Sequence, residues 1–247
     1  MPSSLVWISG ATEGIGLGLA RNVPYPNARV INLSRRQHPQ FESVLFDLAK
    51  PATWDTLRNH FESELRRFNG ERAIFIHNAF LRGTTGFVTQ VEPQKYRDDV
   101  TANASAPLVL GDMFLRAVEE SGYRGETGLL LMSSAAARSP YEGHAVYCAA
   151  KAGVEMWVRV VRRELQRRGR NTWVVAVRPG FVDTPNVRYE ATLSTDVYPV
   201  APILAQQLES GQGLLDIDTA GKDIWAALPP PADKSLLLFG EQVQVQR

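Results

Sequence analysis

The sequence predicts an α/β protein built on a doubly wound, mostly parallel sheet of seven strands. Apolar runs of strand length alternate with longer segments of helical periodicity along the chain. The runs are apolar on both faces, which is typical of parallel strands covered by helices on each side. We expect residues 1–247 to form one domain, because α/β folds of this length commonly bury a single core.

Seven runs are the predicted strands, and helical patterns separate most of them. The clearest helix begins at Pro51, a residue favoured at the first helical position, and its apolar residues Trp54, Leu57 and Phe61 recur at helical spacing. The predicted strands are Leu5–Ile8, Val30–Leu33, Val44–Phe46, Ala73–Ile76, Leu129–Met132, Trp173–Val177 and Leu236–Phe239.

The connection between the second and third strands is unusually short. About ten residues separate Leu33 from Val44, and they include His38 and Pro39. A crossover between parallel strands normally needs a dozen or more residues. We therefore predict a truncated or missing helix here, which leaves one face of the sheet thinly covered near Arg35 and Arg36.

The composition favours a small-molecule partner. Lys and Arg total 27 against 26 Asp and Glu, a formal net charge of +1, so no global field attracts nucleic acid or an anionic membrane. The single cysteine, Cys148, has no internal disulfide partner, and no apolar stretch reaches the roughly 20 residues of a membrane span. The N-terminus lacks the pattern of a secretory signal. We expect a cytoplasmic protein without a metal site.

A glycine-rich turn joins the first strand to a helical segment. Glycine permits a tight turn and a close approach of the backbone to a pyrophosphate, and a helix N-terminus favours the anion. The turn therefore predicts a dinucleotide cradle in a Rossmann-type fold. It lacks the Gly-Lys-Ser/Thr ending of a nucleotide-hydrolysing P-loop, and a tight turn without a ligand is the alternative. The predicted cofactor contacts here are Gly10, Thr12, Glu13, Gly14, Ile15 and Gly16.

The segment from Leu129 to Lys151 carries the candidate chemistry. Ser134 follows a strand, at the end where α/β sheets bind ligands, and Tyr147 and Lys151 share one face of a helix because they are four residues apart. A nearby ammonium and a cationic nicotinamide both favour a tyrosine phenolate. The alternatives are that Ser133 is the better placed hydroxyl and that Tyr147 is an ordinary half-buried aromatic residue.

In their order and spacing, these motifs resemble the short-chain dehydrogenase/reductase family, in its branch of single-domain enzymes of about this length. The resemblance rests on the glycine spacing, Ser134, the Tyr-x3-Lys motif and Pro179-Gly180 after the sixth strand. It implies hydride transfer between a nicotinamide dinucleotide and a carbonyl or alcohol. Tyr147 would be the general acid/base, Lys151 would lower its pKa and bind the nicotinamide ribose, and Ser134 would position the substrate oxygen.

The resemblance also implies further site residues. Asn103 matches an asparagine that helps to hold a water in the proton relay, although it could instead cap a helix. Ser34 stands where NAD enzymes carry an acidic residue, and Arg35 and Arg36 could bind a 2′-phosphate, so NADP(H) is favoured over NAD(H). Glu13 opposes this preference. The remaining predicted cofactor contacts are Asp47, Leu48, Asn78, Ala79, Pro179, Gly180, Phe181, Val182 and Thr184.

Phe80 departs from the family pattern. It stands where the family usually has glycine, after His77-Asn78-Ala79. A bulky ring could obstruct the nicotinamide pocket, so a catalytically silent NADP(H)-binding sensor or scaffold is the alternative function. Residues 185–213, apolar and rich in loops, are the predicted substrate lid. By resemblance, we expect a homodimer or homotetramer.

Overall fold

The computed structural model describes residues 2–82 and 84–240. Seven parallel strands form the central sheet in the order β3-β2-β1-β4-β5-β6-β9, and two short strands, β7 and β8, pair separately. The predicted fold class and all seven predicted strands are confirmed. The strands are β1 Ser4–Ser9, β2 Ala28–Ser34, β3 Glu42–Leu45, β4 Arg72–His77, β5 Glu126–Met132, β6 Trp173–Arg178, β7 Phe181–Val182, β8 Leu214–Leu215 and β9 Leu236–Leu238.

Helices connect and cover these strands. A π-helical segment, Val100–Ser105, joins α3 to α4, and short 3₁₀ turns occupy Pro51–Thr53 and Ala135–Ala137. Within residues 2–82 and 84–240, no helix has the length and apolarity needed to cross a membrane. The helices are α1 Gly14–Arg21, α2 Trp54–Arg67, α3 Pro93–Asp99, α4 Ala106–Ser121, α5 Ala145–Arg167, α6 Pro185–Glu190, α7 Ala201–Ser210 and α8 Ile217–Ala226.

The sheet buries apolar side chains on both faces. Alternate strand residues such as Trp7 and Phe75 pack against α2, α4 and α5, where Phe61 and Phe114 complete an aromatic cluster. Their neighbours in sequence, such as Ile8, pack against α1 and α8 on the opposite face. Successive strand side chains point to opposite faces, so burial on both sides explains the continuous apolar runs.

The chain between β2 and β3 confirms the predicted missing helix. Residues 35–41, all of which the structure describes, form bends without a helix. The edge strand β3 is thinly covered, and 49% of Leu45 is exposed. Because this connection stays short and polar, Arg35 and Arg36 lie on the cavity at the carboxyl edge of the sheet rather than beneath a helix.

The strand order places a switch point between β1 and β4. From β1 the chain proceeds to β2 and β3 on one side, and from β4 to β5, β6 and β9 on the other. Connections that diverge in this way leave a crevice at the carboxyl ends of the strands, where ligands bind in open α/β sheets. The turn after β1 and the residues after β4 border this crevice.

Helices α1 and α8 approach each other closely at a glycine. A Cβ atom placed on Gly18 would lie 1.9 Å from the backbone oxygen of Ile217, whereas one placed on Gly153 in α5 would meet nothing within 4 Å. We predict that Gly18→Ala lowers the free energy of unfolding by about 1 to 3 kcal/mol, because the backbones must separate. Gly153→Ala should raise it by up to about 1 kcal/mol, because alanine favours a helix. Urea denaturation measures both; equal effects would contradict the close packing.

Candidate active site

A cavity of about 290 Å³ lies at the carboxyl edge of the sheet. The structure brings Ser134, Tyr147 and Lys151 into it together with nearly all of the predicted cofactor contacts. Gly16 and Asn103 are the two predicted residues that do not line it. The predicted cofactor contacts that line it are Gly10, Thr12, Glu13, Gly14, Ile15, Ser34, Arg35, Arg36, Asp47, Leu48, Asn78, Ala79, Tyr147, Lys151, Pro179, Gly180, Phe181, Val182 and Thr184.

The glycine turn combines a left-handed backbone conformation with close packing. Gly10 has a φ of +72°, a conformation that side chains rarely adopt. Gly16 packs on this turn, and a Cβ there would lie 2.2 Å from the Gly10 backbone oxygen. At the start of α1, Glu13 makes no side-chain cap. Glu13 therefore does not cap the first-turn N–H groups, and Gly14 and Ile15 of this turn line the cavity, which suits an anion site.

A buried asparagine in β2 organises the neighbouring arginine turn, and the sequence analysis missed it. Asn32 accepts the backbone N–H of Ala11 at 3.1 Å and donates to the hydroxyl of Ser34 at 3.2 Å and the backbone oxygen of Arg36 at 3.0 Å. Ser34 also donates to the Arg36 backbone oxygen at 2.6 Å. A polar residue inside the apolar run Val30–Leu33 was the available signal.

Ser9 and His77 hold the residues that follow β4. The Ser9 hydroxyl accepts the backbone N–H groups of Asn78 and Ala79, each at 3.0 Å, so its proton is directed to Nδ1 of His77 at 3.1 Å. Burial lowers the pKa of His77 to about 3, and the charge of Lys151 adds to this effect. His77 is therefore a neutral hydrogen-bond acceptor for Ser9 at neutral pH.

Tyr147 and Lys151 face the cavity from the first turns of α5. Nζ of Lys151 lies 5.4 Å from the centre of the Tyr147 ring and donates to the backbone oxygen of Met132 at 2.7 Å. Burial lowers the pKa of Lys151 to about 8. The lysine is thus a cation at neutral pH, held between the tyrosine and the end of β5.

The acidity of Tyr147 differs from the expectation. Burial raises the pKa of the phenol above its ordinary value, a hydrogen bond with Ser134 opposes the increase, and the charge of Glu190 adds to it. The protein's own groups therefore raise this pKa, because removal from water outweighs the hydrogen bond with Ser134. The contact does identify Ser134 as the hydroxyl that meets the phenol.

Ser133 has a different role from Ser134. Its hydroxyl donates at 2.7 Å to Glu155, which is buried in a bidentate ion pair with Arg178 at 2.6 and 2.8 Å. Glu155 belongs to α5, Arg178 ends β6, and Ser133 follows β5. This Ser133-Glu155-Arg178 network joins the helix of Tyr147 to two strand ends. Ser133 also lines the cavity, but its hydroxyl proton is directed to Glu155, whereas Ser134 meets the phenol. The sequence analysis missed the ion pair.

Asn103 lies behind the cavity. Its amide donates to the backbone oxygen of Leu81 at 2.9 Å and to Asp99, and its oxygen accepts the Leu81 N–H at 2.7 Å. The residue belongs to the π-helical segment and caps no helix. Both amide hydrogens are used within the protein, so the side chain fastens the loop after β4 rather than donating into the cavity.

Aromatic side chains and one carboxylate form the remaining walls. The Phe80 ring lies 5.8 Å from the Tyr147 ring, and this wall leaves the cavity continuous from Gly10 to Glu190. His144 stacks on Tyr198 with ring centres 4.3 Å apart. The sequence analysis assigned no role to His144 and did not single out Glu190, because neither belongs to a motif.

Comparison with known proteins agrees with this geometry. The sequence model of the family described as short chain dehydrogenase matches residues 4–192. The chain belongs to this family. With its reductase relatives, the family supports NAD(P)-dependent oxidoreductase activity on carbonyl or alcohol groups.

Two relatives show what this family member is similar to. Benzil reductase ((S)-benzoin forming) of Bacillus cereus is 26% identical over 190 residues, which cover 72% of the chain and 76% of the relative. The 3-oxoacyl-(acyl-carrier-protein) reductase of Escherichia coli is 25% identical over 209 residues, covering 81% of the chain and 80% of the relative.

Solved structures support the fold. An actinorhodin polyketide ketoreductase with NADPH superimposes with a TM-score of 0.76 and 21% identity, covering 96% of this chain and 97% of the other. The aldohexose dehydrogenase of Thermoplasma acidophilum gives 0.74 and 16%, covering 96% and 93%. At such identities the likeness concerns the fold alone.

The Ser133-Glu155-Arg178 network yields a stability prediction. Glu155→Gln should lower the free energy of unfolding by about 3 to 5 kcal/mol, because Arg178 would remain buried without its counter-charge. Asp112→Asn removes a similarly short ion pair with Arg116, in which both partners are exposed, and should change stability little. Guanidinium denaturation of both variants measures the difference.

A double variant separates the charge from the packing. Glu155→Leu with Arg178→Met leaves no unpaired charge and should recover much of the stability lost in Glu155→Gln. An unchanged stability of Glu155→Gln would contradict the importance of this ion pair.

Proposed function

We propose that this protein is an NADP(H)-dependent oxidoreductase that reduces a ketone or aldehyde, or oxidises a secondary alcohol, with Tyr147 as the general acid/base. The observation that carries the proposal is the arrangement of Ser134, Tyr147 and Lys151 around the cavity that also contains the glycine turn. Both ends of the reaction, cofactor and substrate oxygen, thus have their binding groups in one crevice.

The residues present fit a dinucleotide. A Cβ at Gly16 would collide with the glycine turn, and the first turn of α1, which Glu13 does not cap, lies on the cavity, where a helix N-terminus favours a pyrophosphate. Asp47 and Leu48 would contact the adenine, and Asn78 with Ala79 the ribose and nicotinamide. Lys151 would bind the nicotinamide ribose, and residues 179–184 would line the nicotinamide. The cofactor supplies or accepts the hydride when it is bound.

Charge at the arginine turn favours NADP(H) over NAD(H). Arg35 and Arg36 line the cavity, and position 34 is a serine rather than an acidic residue. The guanidinium of Arg36 reaches Thr12 and Glu13, each at 3.3 Å. A 2′-phosphate would compete with Glu13 for Arg36, so we expect Glu13 to lower the affinity for NADP(H).

The proton chemistry belongs to three side chains. Ser134 would hold the substrate oxygen in reach of Tyr147, and the phenol would donate its proton as that oxygen becomes an alkoxide. Burial keeps the phenol protonated until then. The ammonium of Lys151, fixed by Met132, would stabilise the phenolate that remains. Asn103 would support this relay indirectly, through the loop after β4 that it fastens.

The aromatic walls favour an aromatic carbonyl compound. Residues 185–213 form part of the cavity wall, and we propose that they are the substrate lid. The benzil reductase relative acts on an aromatic diketone by its name. We also propose that the protein is a homodimer or homotetramer, since α4 and α5 expose the apolar side chains Val109, Met156 and Val160. A cytoplasmic location is part of the same proposal.

Replacing Tyr147 tests the mechanism. Tyr147→Phe should lower kcat with NADPH and benzil by about 100-fold to 10,000-fold, because the proton donor is lost. The affinity for NADPH should change by less than about threefold, since the ring remains. Tyr96→Phe, on α3 and away from the cavity, is the control. Steady-state absorbance assays and calorimetry provide the two measurements.

Two results would separate the competing functions. Turnover that survives Tyr147→Phe would contradict the mechanism. Tight NADPH binding without turnover of benzil, other diketones or ketones by the unchanged protein would favour the silent sensor, in which Phe80 obstructs the reaction.

Arg36 and Glu13 should shift cofactor preference in opposite directions. Arg36→Ala should lower kcat/KM for NADPH by about 10- to 100-fold and leave that for NADH nearly unchanged, because only NADPH carries the 2′-phosphate. Glu13→Gln should raise the preference for NADPH by freeing Arg36. Arg58→Ala, on the exposed side of α2, is the matched control. Equal losses with both cofactors in Arg36→Ala would refute a phosphate contact.

A further inference from the structure

Glu190 is a carboxylate within the substrate end of the cavity. It is the last residue of α6 and lines the same cavity as Tyr147. Only 15% of its side chain is exposed. A carboxylate in such a position is costly unless hydrogen bonds or a positive charge compensate for the lost water. The hydrogen bonds and charges around Glu190 therefore show whether the protein itself compensates this carboxylate.

Within residues 2–82 and 84–240, a hydrogen bond reaches only one of the two carboxylate oxygens. Oε1 accepts a hydrogen bond from the amide of Asn186 at 2.7 Å, and Nε2 of His144 lies 3.8 Å from the same oxygen. Among the residues that the structure describes, none donates a hydrogen bond to Oε2. The charge of Arg82 acts on Glu190, but its guanidinium donates a hydrogen bond to Asn186.

Among the described residues, no lysine or arginine forms an ion pair with this carboxylate. Burial raises the pKa of Glu190 to about 7, and only the hydrogen bond from Asn186 and the charge of Arg82 oppose the increase. Burial also lowers the pKa of His144 to about 4, so His144 is neutral at neutral pH. The negative charge in turn raises the pKa values of Tyr141, Tyr147 and Tyr198.

The walls around Glu190 are otherwise apolar and aromatic. Phe181, Tyr198 and Leu204 belong to one buried cluster, and partly buried Tyr147 and Val187 pack against it. A small number of polar groups in such a pocket typically fixes the orientation of a ligand. Since a carboxylate only accepts hydrogen bonds, the complementary ligand group is a donor.

We propose that Glu190 is a specificity-determining residue that binds a hydroxyl or ammonium group of the carbonyl substrate through its free oxygen Oε2. The substrate class is an aromatic ketone with a hydrogen-bond donor at the end remote from the reacting carbonyl. This inference rests on the proposed function, because it places the carbonyl at Tyr147 and the donor beneath α6.

Matched substrates test this assignment. The probes are phenylpropanedione with para-methyl, para-hydroxymethyl or para-aminomethyl substituents, reduced with NADPH at about pH 8, above the pKa of Glu190. The unchanged protein should prefer a donor-bearing probe over the methyl probe. In Glu190→Gln, this preference should fall by about 10- to 100-fold, mainly through KM, because a charge-assisted hydrogen bond is lost.

The controls distinguish binding from general damage. The preference is a ratio of kcat/KM values within each variant, so it cancels any change that Glu190→Gln makes to the acidity of Tyr147. Glu190→Asp, which keeps the charge, should retain part of the preference. Glu209→Gln, exposed on α7, should behave as the unchanged protein. The hydroxymethyl and aminomethyl probes show which donor the carboxylate favours.

Two results would overturn the inference. One is that the unchanged protein shows no preference for a donor, and the other is that Glu190→Gln slows all probes equally. If no probe turns over, the proposed function fails separately. Calorimetric binding of the same probes to the NADPH complex then decides the inference, because loss of donor preference in Glu190→Gln requires no reaction.

Discussion

The buried ion pair between Glu155 and Arg178 is the interaction on which the geometry of the candidate site depends. Its two short hydrogen bonds fix α5 against the end of β6, and Ser133 adds the end of β5. Ser134 follows Ser133, and Lys151 lies one helical turn before Glu155. One network therefore sets the separation of the serine and lysine, and with it the position of Tyr147.

Removal from water is the second constraint, and it acts on the buried titratable groups in and beside the crevice. Burial lowers the pKa values of Lys151 and His77 and raises those of Tyr147 and Glu190. In each case burial favours the neutral form of the side chain. Ligands that supply an opposite charge or a hydrogen-bond partner are therefore favoured in the crevice. A cationic nicotinamide beside Tyr147 and a donor beside Glu190 would both do so.

The sequence predicted the elements that depend on local pattern. The seven strands follow from apolar runs, and the glycine turn, Ser134, Tyr147 and Lys151 follow from spacing. Residues whose role depends on distant partners were not predictable: Asn32 joins two turns and β3, and Glu155 meets Arg178 across 23 positions. Asn103 was predicted to serve the proton relay, but it lies in the π-helical segment and its side chain is hydrogen-bonded to Leu81. The acidity of Tyr147 depends on burial, which no motif encodes.

The central claim is that a cofactor cation and Lys151 together make the Tyr147 phenol acidic enough for proton transfer. Carbon-13 NMR of protein labelled at the tyrosine ζ carbon measures this pKa directly, with assignment by Tyr147→Phe. With NADP⁺ bound, the Tyr147 signal should titrate below the ordinary tyrosine value of about 10, and Lys151→Met should move it upward. A phenol that stays protonated above that value in the NADP⁺ complex would contradict the account.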